Sequence, residues 1–460
     1  MIVVQRGSSG VIPRGELGVV RDGSCAGDEM EWGKRLFRGA TGAFMVRVAG
    51  AGLGLLVHIV LARLLGVDQY GLYTFALSWV SVIAVLGVFG QDTSVLRFVA
   101  TYVQRGQWGE LRGLRRLANV TGMIVSISIS LSGIAFVFLI RSTLTRSETL
   151  TFVACCLLLP FLIQLQLNGA FLQGLKRAAS SGFFNSILRP AAFISMLIVL
   201  GLIFRIRMDA SIAMFSSVLA VLLSMAISEW FLRRVWPGQS TLETPKYHTR
   251  SWLRLGRQLF FLAAIGVTLN RVDVLVLGGL SGIDQVGPYY AAVQLAAIAL
   301  YGLNAVNTIL APMIAECYAS RDHDRLKRLV HRAAWFTFSV TAAASLATAI
   351  AGHWLLGMFG KGFIVAYVPL LIILAGQCVN AAVGPVGFLM TMTRFESQAP
   401  WIFGGGAALN LSLSIVLIPY FGITGAAIAT ASATVAWNLV ALAFIRRNLG
   451  INPTVFPWPA

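Results

Sequence analysis

The hydrophobic pattern of this chain is a series of long apolar runs separated by short polar breaks. An α-helix needs about 20 residues to cross the hydrocarbon core of a bilayer, and every run reaches that length. The predicted spans are 39–64, 72–99, 116–140, 149–173, 181–204, 210–232, 255–279, 286–315, 331–351, 364–391, 398–419 and 423–445. The pattern therefore predicts an all-α polytopic membrane protein with about twelve transmembrane helices.

A short motif is repeated along the chain. Gly66–Tyr73 has the sequence GVDQYGLY, and Gly282–Tyr289, 216 residues later, has GIDQVGPY, with five of eight positions identical. The same offset pairs Ala76 with Ala292, Tyr102 with Tyr318, and Arg105 with Arg321. Because glycine favours turns, each copy is predicted to join the first helix of a half to the second helix. The repeat predicts an internally duplicated fold.

A polar break near the middle divides the chain. Residues 237–249 are predicted to be a cytoplasmic linker between a first six-helix bundle, 37–236, and a second, 250–450. Because six is an even number, both bundles enter the membrane in the same direction. The predicted repeat is therefore parallel, with a pseudo-two-fold axis along the membrane normal. Residues 451–460 are predicted to be a C-terminal tail.

The N-terminal segment, residues 1–36, is polar, mixed in charge and contains Gly, Ser and Pro. It lacks the apolar core of about 7–15 residues that a signal peptide needs, so we predict a disordered cytoplasmic tail. The membrane pattern begins soon after Met30. Translation from Met1 and translation from Met30 both stay open.

Composition agrees with a bilayer setting. Hydrophobic residues make up 57% of the chain, charged residues 12%, and the mean hydropathy is +0.78, whereas a soluble domain carries about 25% charged residues. The net charge is +18. With the N-terminus in the cytoplasm, 28 of the 36 Lys and Arg fall on predicted cytoplasmic segments and 6 on outer loops. This bias predicts cytoplasmic termini and explains the basic excess without nucleic acid as a partner.

The chain carries no pattern typical of a soluble enzyme. It contains no His-Glu-x-x-His motif, phosphate-binding loop or dinucleotide fingerprint. Its five cysteines have neither disulfide-framework nor zinc-ligand spacing. The predicted outer loops are all short, which argues against a polysaccharide polymerase or a membrane glycosyltransferase. We therefore expect no enzyme activity, no metal and no cofactor.

Polar and ionisable residues inside the predicted spans are the candidates for function, because a charge at a helix centre costs about 2.5–3.5 kcal/mol on insertion scales. The candidate cavity residues are Arg47, Asp92, Asn270, Arg271, Asp273, Asn304 and Asn307. Arg47 and Arg271 lie on the first helix of each half, and repeat symmetry brings these helices together. Two guanidinium groups suit a diphosphate, because Arg is always charged and binds phosphate through paired hydrogen bonds. Arg271 and Asp273 are two residues apart, so they point in different directions and need other partners.

Structural roles are also open for polar residues within the spans. Arg47 and Asp92 can form an ion pair between helices. Glu229 can pair with Arg233, four residues further along its helix. His58, on the first predicted span, can hydrogen-bond to a neighbouring helix.

Three stretches carry a resemblance to a known family. Leu61–Tyr73 (LARLLGVDQYGLY) resembles the opening signature of bacterial polysaccharide biosynthesis membrane proteins. These are oligosaccharide-lipid flippases of the O-antigen flippase kind, in the same superfamily as multidrug and toxic-compound extruders. Asn270–Gly278 followed by Val286–Tyr290 resembles the second-half counterpart, and Leu409–Thr430 resembles a segment near the end of the family's members. The resemblance covers about residues 37–450.

The resemblance implies two six-helix bundles around a central cavity that opens alternately to each side. It implies transport of an undecaprenyl-diphosphate-linked oligosaccharide from the inner to the outer leaflet of the bacterial inner membrane. Arg47 and Arg271 are then cationic cavity groups. The implied partners are the polyprenyl-diphosphate-linked glycan, the lipid bilayer, and the polymerase and glycosyltransferases of O-antigen, capsule or exopolysaccharide assembly.

Two other functions stay open. A proton- or sodium-coupled multidrug or cation antiporter has the same fold and needs an acid within the membrane, for which Asp92 or Asp273 can serve. Arg47 and Arg271 argue against a cationic substrate. An assembly scaffold without transport is the third class.

Overall fold

The computed structural model describes residues 24–203, 207–320 and 322–456, which are mostly helical. The α-helices are α1 Ser24–Val88, α2 Gln91–Arg105, α3 Trp108–Leu139, α4 Arg146–Gly174, α5 Ala178–Gly182, α6 Arg189–Ile198, α7 Ala210–Val235, α8 Gln239–Leu242, α9 Thr249–Leu280, α10 Ile283–Ala319, α11 His323–Phe359, α12 Tyr367–Val383, α13 Val386–Thr391 and α14 Ala399–Leu449. Two π-helical segments flank α6, at Phe183–Leu188 and Val199–Ile203, and together with α5 and α6 they form the fifth span.

Glycines with positive φ divide the two longest helices. Gly66 (φ 76°) lies inside α1 and Gly422 (φ 53°) inside α14, a conformation that strains residues with a Cβ. Nine helices of the described part are long and apolar enough to cross a membrane, including α1 and α14. Because each of these two contains two spans and α10 adds a further helix of 37 residues, the prediction of twelve spans is confirmed.

Packing within the two halves follows one pattern. In the first half, α4 packs on α2, α3 and α7. In the second half, α12 packs in the corresponding way on α10, α11 and α14. The sequence repeat is therefore also a structural repeat, which confirms two six-helix bundles related by a parallel duplication.

The two copies of the repeated motif pack against each other. A Cβ on Gly287 would lie 2.6 Å from the carbonyl oxygen of Val67, and a Cβ on Gly71 would meet the carbonyl oxygen of Ile283. Both glycines and both of these contacted residues are related by the 216-residue offset. The contacts are therefore symmetric, and the pseudo-two-fold axis passes between the glycines, which alone permit this backbone approach.

The glutamine of the motif fastens each turn to its own half. Gln69 Oε1 accepts hydrogen bonds from the backbone N–H of Ala210 at 3.0 Å and from the hydroxyl of Ser147 at 3.1 Å. Ala210 begins α7, the last span of the first half. In the second copy, Gln285 lies beside Gly422, where the last span begins. The predicted turns thus hold the first and last helices of each half together.

The predicted N-terminal tail differs from the structure. Residues 1–23 lie outside the described residues. The α1 helix begins at Ser24, so the prediction that residues 24–36 are disordered was wrong. The residues Glu29–Glu31 are good helix formers, so the helix extends beyond the first span toward the N-terminus.

The linker and the C-terminal segment both pack on the helices. In the linker, Glu243 accepts a hydrogen bond from the N–H of Gly109 at 2.9 Å, and the N–H of Lys246 donates to the Gly109 carbonyl at 3.0 Å. At the C-terminal end, the His331 ring donates to the carbonyl of Thr454 at 3.1 Å. Gly109 lies at the start of α3 and His331 in the equivalent helix α11. Each segment therefore occupies the same place in its half.

Candidate functional site

Arg271 lies on α9 and faces α10. Its guanidinium donates a hydrogen bond of 3.0 Å to the hydroxyl of Tyr290 and lies 5.6 Å from the centre of that ring. Within the described residues this is its one hydrogen bond. A guanidinium has five N–H donors, so most donors of this half-buried side chain are open to a ligand or water.

His58 connects this arginine to the first half. Its Nδ1 lies 3.2 Å from the hydroxyl of Tyr70, which follows the Gly66 kink, and its ring centre is 5.3 Å from that of Tyr290. Both tyrosines are buried. The predicted hydrogen bond from His58 to a neighbouring helix is therefore confirmed, and it lies where the two halves meet.

Arg189, on α6, is the third basic residue at this place. Both Arg189 and Arg271 lie close enough to His58 to interact with it electrostatically, and Arg189 also interacts with the buried Tyr73. In the described part of the chain, the guanidinium of Arg189 makes no hydrogen bond or ion pair. We call His58, Arg189 and Arg271 the basic cluster.

Arg189 was not among the predicted cavity residues. It was counted with the cytoplasmic charges, although it falls inside the predicted span 181–204. The structure places it 11 residues after Ala178, where the fifth span begins, and therefore well inside that span. Its position inside a predicted span is the feature of the sequence that could have identified it as a cavity residue. Without it, 27 cytoplasmic Lys and Arg still stand against 6 outer ones.

Asp273 is two residues from Arg271 but has different surroundings. It is 3% exposed, and its carboxylate accepts hydrogen bonds from the hydroxyls of Tyr289 at 2.6 Å and Thr430 at 2.9 Å. Tyr289 belongs to α10 and Thr430 to α14. Asp273 thus joins three helices inside the second half, whereas Arg271 belongs to the basic cluster. The two side chains diverge as the sequence predicts.

Arg47 and Asp92 lie apart from the basic cluster. Arg47 is exposed on α1, about 16 Å along the helix from His58. Asp92, in the first turn of α2, lines a cavity of about 250 Å³ within the first half. The ion pair suggested for them is absent from the described residues, because Arg47 lies at the surface and Asp92 faces this cavity.

Asn270 and Asn307, two of the three candidate asparagines, have different surroundings. Asn270 is exposed, and its amide donates to the carbonyl of Gly266 in its own helix at 2.6 Å. Asn307 is buried, and its side-chain oxygen has no hydrogen-bond partner in the described part. The side chain of Asn304 lies outside the described residues. Contact of these asparagines with substrate stays a prediction.

Glu229 has a structural role. Its Oε1 lies 2.8 Å from Nε of Arg233, four residues further along α7, and 2.9 Å from Nη2 of Arg115 on α3. The predicted pair with Arg233 is confirmed, and the second pair joins two helices of the first half. No group of three His, Cys, Asp or Glu in the described ranges is placed to hold a metal ion.

The basic cluster can bind an anion. It combines guanidinium groups from both halves, and the carboxylate nearest along α9, Asp273, is already held by two hydroxyls. Electrostatic attraction is stronger in a partly buried site than in water. A phosphate group accepts paired hydrogen bonds from a guanidinium, so the cluster suits a phosphate-bearing ligand.

Proteins of known name share the fold and part of the sequence. The chain is 24% identical over 406 residues to the probable low-salt glycan biosynthesis flippase Agl15 of Haloferax volcanii, covering 86% of this chain and 80% of that protein. It resembles the inward-facing conformation of a multidrug resistance MATE family transporter of the MOP superfamily, with a TM-score of 0.68 at 12% identity over 86% of this chain and 98% of that one. It also resembles lipid II flippase MurJ in an inward closed conformation, with a TM-score of 0.68 at 12% identity over 87% of each chain.

The structural likenesses show the transporter fold, and the family follows from the sequence. Residues 36–318, more than half of the chain, match the family described as polysaccharide biosynthesis protein. The named relatives are flippases and transporters, which are not enzymes. This chain is a multi-pass membrane protein that belongs to the polysaccharide biosynthesis protein family.

Proposed function

We propose that this protein carries a diphosphate-bearing, lipid-linked oligosaccharide from the cytoplasmic to the outer leaflet of the bacterial inner membrane. The carrier lipid is undecaprenol, and the glycan serves O-antigen, capsule or exopolysaccharide assembly. The observation that carries the proposal is the basic cluster, which lies between the two halves and has guanidinium donors with no hydrogen-bond partner in the described part of the chain.

The basic cluster suits the polar head group of the substrate, which is the part that is most unfavourable to move through the membrane. The polar head group must cross about 30 Å of hydrocarbon, while the lipid tail stays in the bilayer. Arg189 comes from the first half and Arg271 from the second, and both interact electrostatically with His58, so we expect a diphosphate bound at the basic cluster to contact both. Rocking of one half against the other then exposes the same site first to one side of the membrane and afterwards to the other.

The motion has to open the contacts between the halves at either end. At the motif turns, Gly71 and Gly287 meet backbone to backbone. Toward the other ends of these spans, the rings of Phe89 and Phe260 stack with centroids 5.0 Å apart. The halves are also joined by two side-chain hydrogen bonds, from Arg63 to the carbonyl of Met358 and from Trp252 to the hydroxyl of Tyr102, so opening either end breaks one of them.

The distribution of basic residues supports cytoplasmic termini. With Arg189 assigned to the interior, 27 Lys and Arg lie on cytoplasmic segments and 6 on outer ones. In this orientation the glycosyltransferases that build the glycan act before the transporter, on its cytoplasmic side. A polymerase of the surface polysaccharide acts after it.

The cation antiporter of the same fold fits the site less well. Arg189 and Arg271 would repel a cationic substrate between the halves. Asp273, one of the acids considered for ion coupling, already accepts hydrogen bonds from Tyr289 and Thr430. The charge at the centre of the protein therefore favours an anionic substrate.

Arginine substitutions test the proposal in a bacterial strain that lacks its own flippase and depends on this protein. We expect Arg189→Ala and Arg271→Ala each to reduce surface polysaccharide at least tenfold, because each removes hydrogen bonds to a charged group worth about 1.5–3 kcal/mol. Arg271→Lys keeps the charge without the planar fork, so it should give an intermediate level. Surface polysaccharide is measured by immunoblot at equal protein level.

Arg141→Ala is the matched control, because Arg141 is exposed in the loop between α3 and α4. It should leave the polysaccharide level unchanged. Normal polysaccharide in both cluster variants would remove the basic cluster from the mechanism. Dye efflux by the unmodified protein, without any restored polysaccharide, would favour the antiporter instead.

A further inference from the structure

A second polar region lies in the first half, in the cavity of about 250 Å³ between α2, α4 and the fifth span. Its polar lining consists of Asp92, Thr93, Gln166, Gln173 and Asn185. We infer that this cavity, called here the acceptor cavity, binds the first sugar of the lipid-linked glycan and favours a neutral sugar over an acidic one. This inference rests on the proposed function, because it assigns the sugar next to the diphosphate.

Ser181 orients two amides of the acceptor cavity. Nε2 of Gln173 donates to the Ser181 hydroxyl at 3.1 Å, and Nδ2 of Asn185 donates to the Ser181 carbonyl at 3.1 Å. Because both amide nitrogens are engaged in this way, the amide oxygens of Gln173 and Asn185 are left as acceptors. The lining is therefore rich in acceptors held in fixed positions.

Asp92 and Gln166 lie partly buried in the acceptor cavity. Within the described residues neither side chain makes a hydrogen bond or an ion pair. Burying a polar group without a hydrogen bond is unfavourable, and burying a charge is more so. A ligand that donates several hydrogen bonds can satisfy these groups.

The size and chemistry of the acceptor cavity fit one sugar ring. A volume of about 250 Å³ is much more than a monovalent cation needs. It offers no Lys or Arg for a phosphate. A sugar presents several hydroxyl donors around a small ring, and the carboxylate and amide oxygens accept from them.

The acceptor cavity lies one helical turn from the basic cluster. Asn185 lies in the π-helical segment Phe183–Leu188, and Arg189, four residues further along the fifth span, follows that segment directly. In a lipid-linked glycan the first sugar is bonded directly to the diphosphate. A diphosphate at Arg189 therefore brings that sugar to Asn185 and Asp92. The Asp92 carboxylate accepts from hydroxyls but repels a carboxylate on the sugar.

Binding of three defined lipids tests the inference. The probes are undecaprenyl diphosphate without sugar, with glucose, and with glucuronic acid, and Kd is measured on the purified full chain in lipid nanodiscs. We expect the glucose lipid to bind about tenfold more tightly than the sugar-free lipid, which corresponds to about 1.4 kcal/mol. The glucuronic acid lipid should bind more weakly than the glucose lipid, because Asp92 faces the additional carboxylate.

Two substitutions separate the roles of the residues. Asn185→Ala should remove most of the tenfold gain from glucose while changing the Kd of the sugar-free lipid less than twofold. Asp92→Asn should bring the glucuronic acid lipid close to the glucose lipid, because it removes the repulsion. Asp68→Asn and Gln104→Ala, at exposed positions, are the matched controls and should leave all three Kd values unchanged.

The outcomes distinguish this inference from the proposed function. If the unmodified protein binds none of the three lipids, the proposed function fails. If it binds all three equally and the two cavity variants change nothing, the sugar assignment is wrong and the proposed function stands. Titrations with sodium and at several pH values are run in parallel. If Asp92→Asn abolishes an ion dependence without changing the sugar preference, the cavity is a cation site and the inference is overturned.

Discussion

Asp273, inside the second half, and the arginines between the halves differ in how fully their side chains are hydrogen-bonded. Inside the second half, Asp273 accepts hydrogen bonds from Tyr289 and Thr430 and is almost fully buried. Between the halves, Arg271 makes one hydrogen bond and Arg189 none within the described residues. Satisfied polar groups hold the helices of one half together, whereas unsatisfied ones are available to a ligand.

The same comparison holds for the way in which the halves touch. The helices of one half are joined by hydrogen bonds between side chains, such as the pair of Glu229 and Arg115. The halves meet through backbone contact at Gly71 and Gly287, through ring stacking at Phe89 and Phe260, and through two side-chain hydrogen bonds, from Arg63 to Met358 and from Trp252 to Tyr102. Separation of the halves breaks these contacts while the polar contacts inside each half stay intact.

The largest change is expected within the second half. Asp273→Ala leaves the hydroxyls of Tyr289 and Thr430 without their acceptor, so we expect a loss of about 3 kcal/mol in the free energy of unfolding. Thermal unfolding in detergent micelles, followed by tryptophan fluorescence, measures it as a lower Tm. Asp273→Asn keeps one acceptor oxygen and should lose less than half as much. An unchanged Tm for Asp273→Ala would show that this carboxylate does not hold the helices together.

A smaller change is expected at the contact of the two motif copies. Gly71→Ala places a methyl group against the carbonyl of Ile283, and such overpacking costs about 1–3 kcal/mol. The halves should respond by separating at this end, which lengthens the distance between spin labels at the exposed positions Asp68 and Asp284. Gly52→Ala is the control, because a Cβ there meets no atom within 4 Å. Equal distances in both variants would argue against this contact as a closure.

The smallest effect on stability is expected at the basic cluster. Arg271→Ala removes one hydrogen bond, to Tyr290, so the free energy of unfolding should fall by about 1 kcal/mol or less. The same variant is expected to lose transport. Its surface polysaccharide should therefore fall strongly while its free energy of unfolding changes little. A loss of stability as large as that of Asp273→Ala would mean that Arg271 is a structural residue, and the contrast between the two regions would fail.

Much of the fold can be predicted from the sequence, because apolar length and the 216-residue repeat are local properties. Fewer of the residues of the site could be predicted from the sequence. Arg271 was identified because a charge stood in an apolar span, and the same reasoning applied to Arg189 would have found it. The sequence does not show which side of α9 faces the other half. Arg271 and Asp273 were therefore both predicted as cavity residues, although only Arg271 lies at the basic cluster.

The sequence by itself determined the number of spans, the duplication and the bias of basic residues, since these depend on hydropathy, spacing and composition. Only the tertiary structure decided which polar groups are satisfied. The partners of Asp273 lie 16 and 157 residues away, and the basic cluster joins residues from both halves. Such groupings arise when distant helices pack, and the packing leaves Arg189, Arg271 and Asp92 with hydrogen-bonding capacity for a ligand.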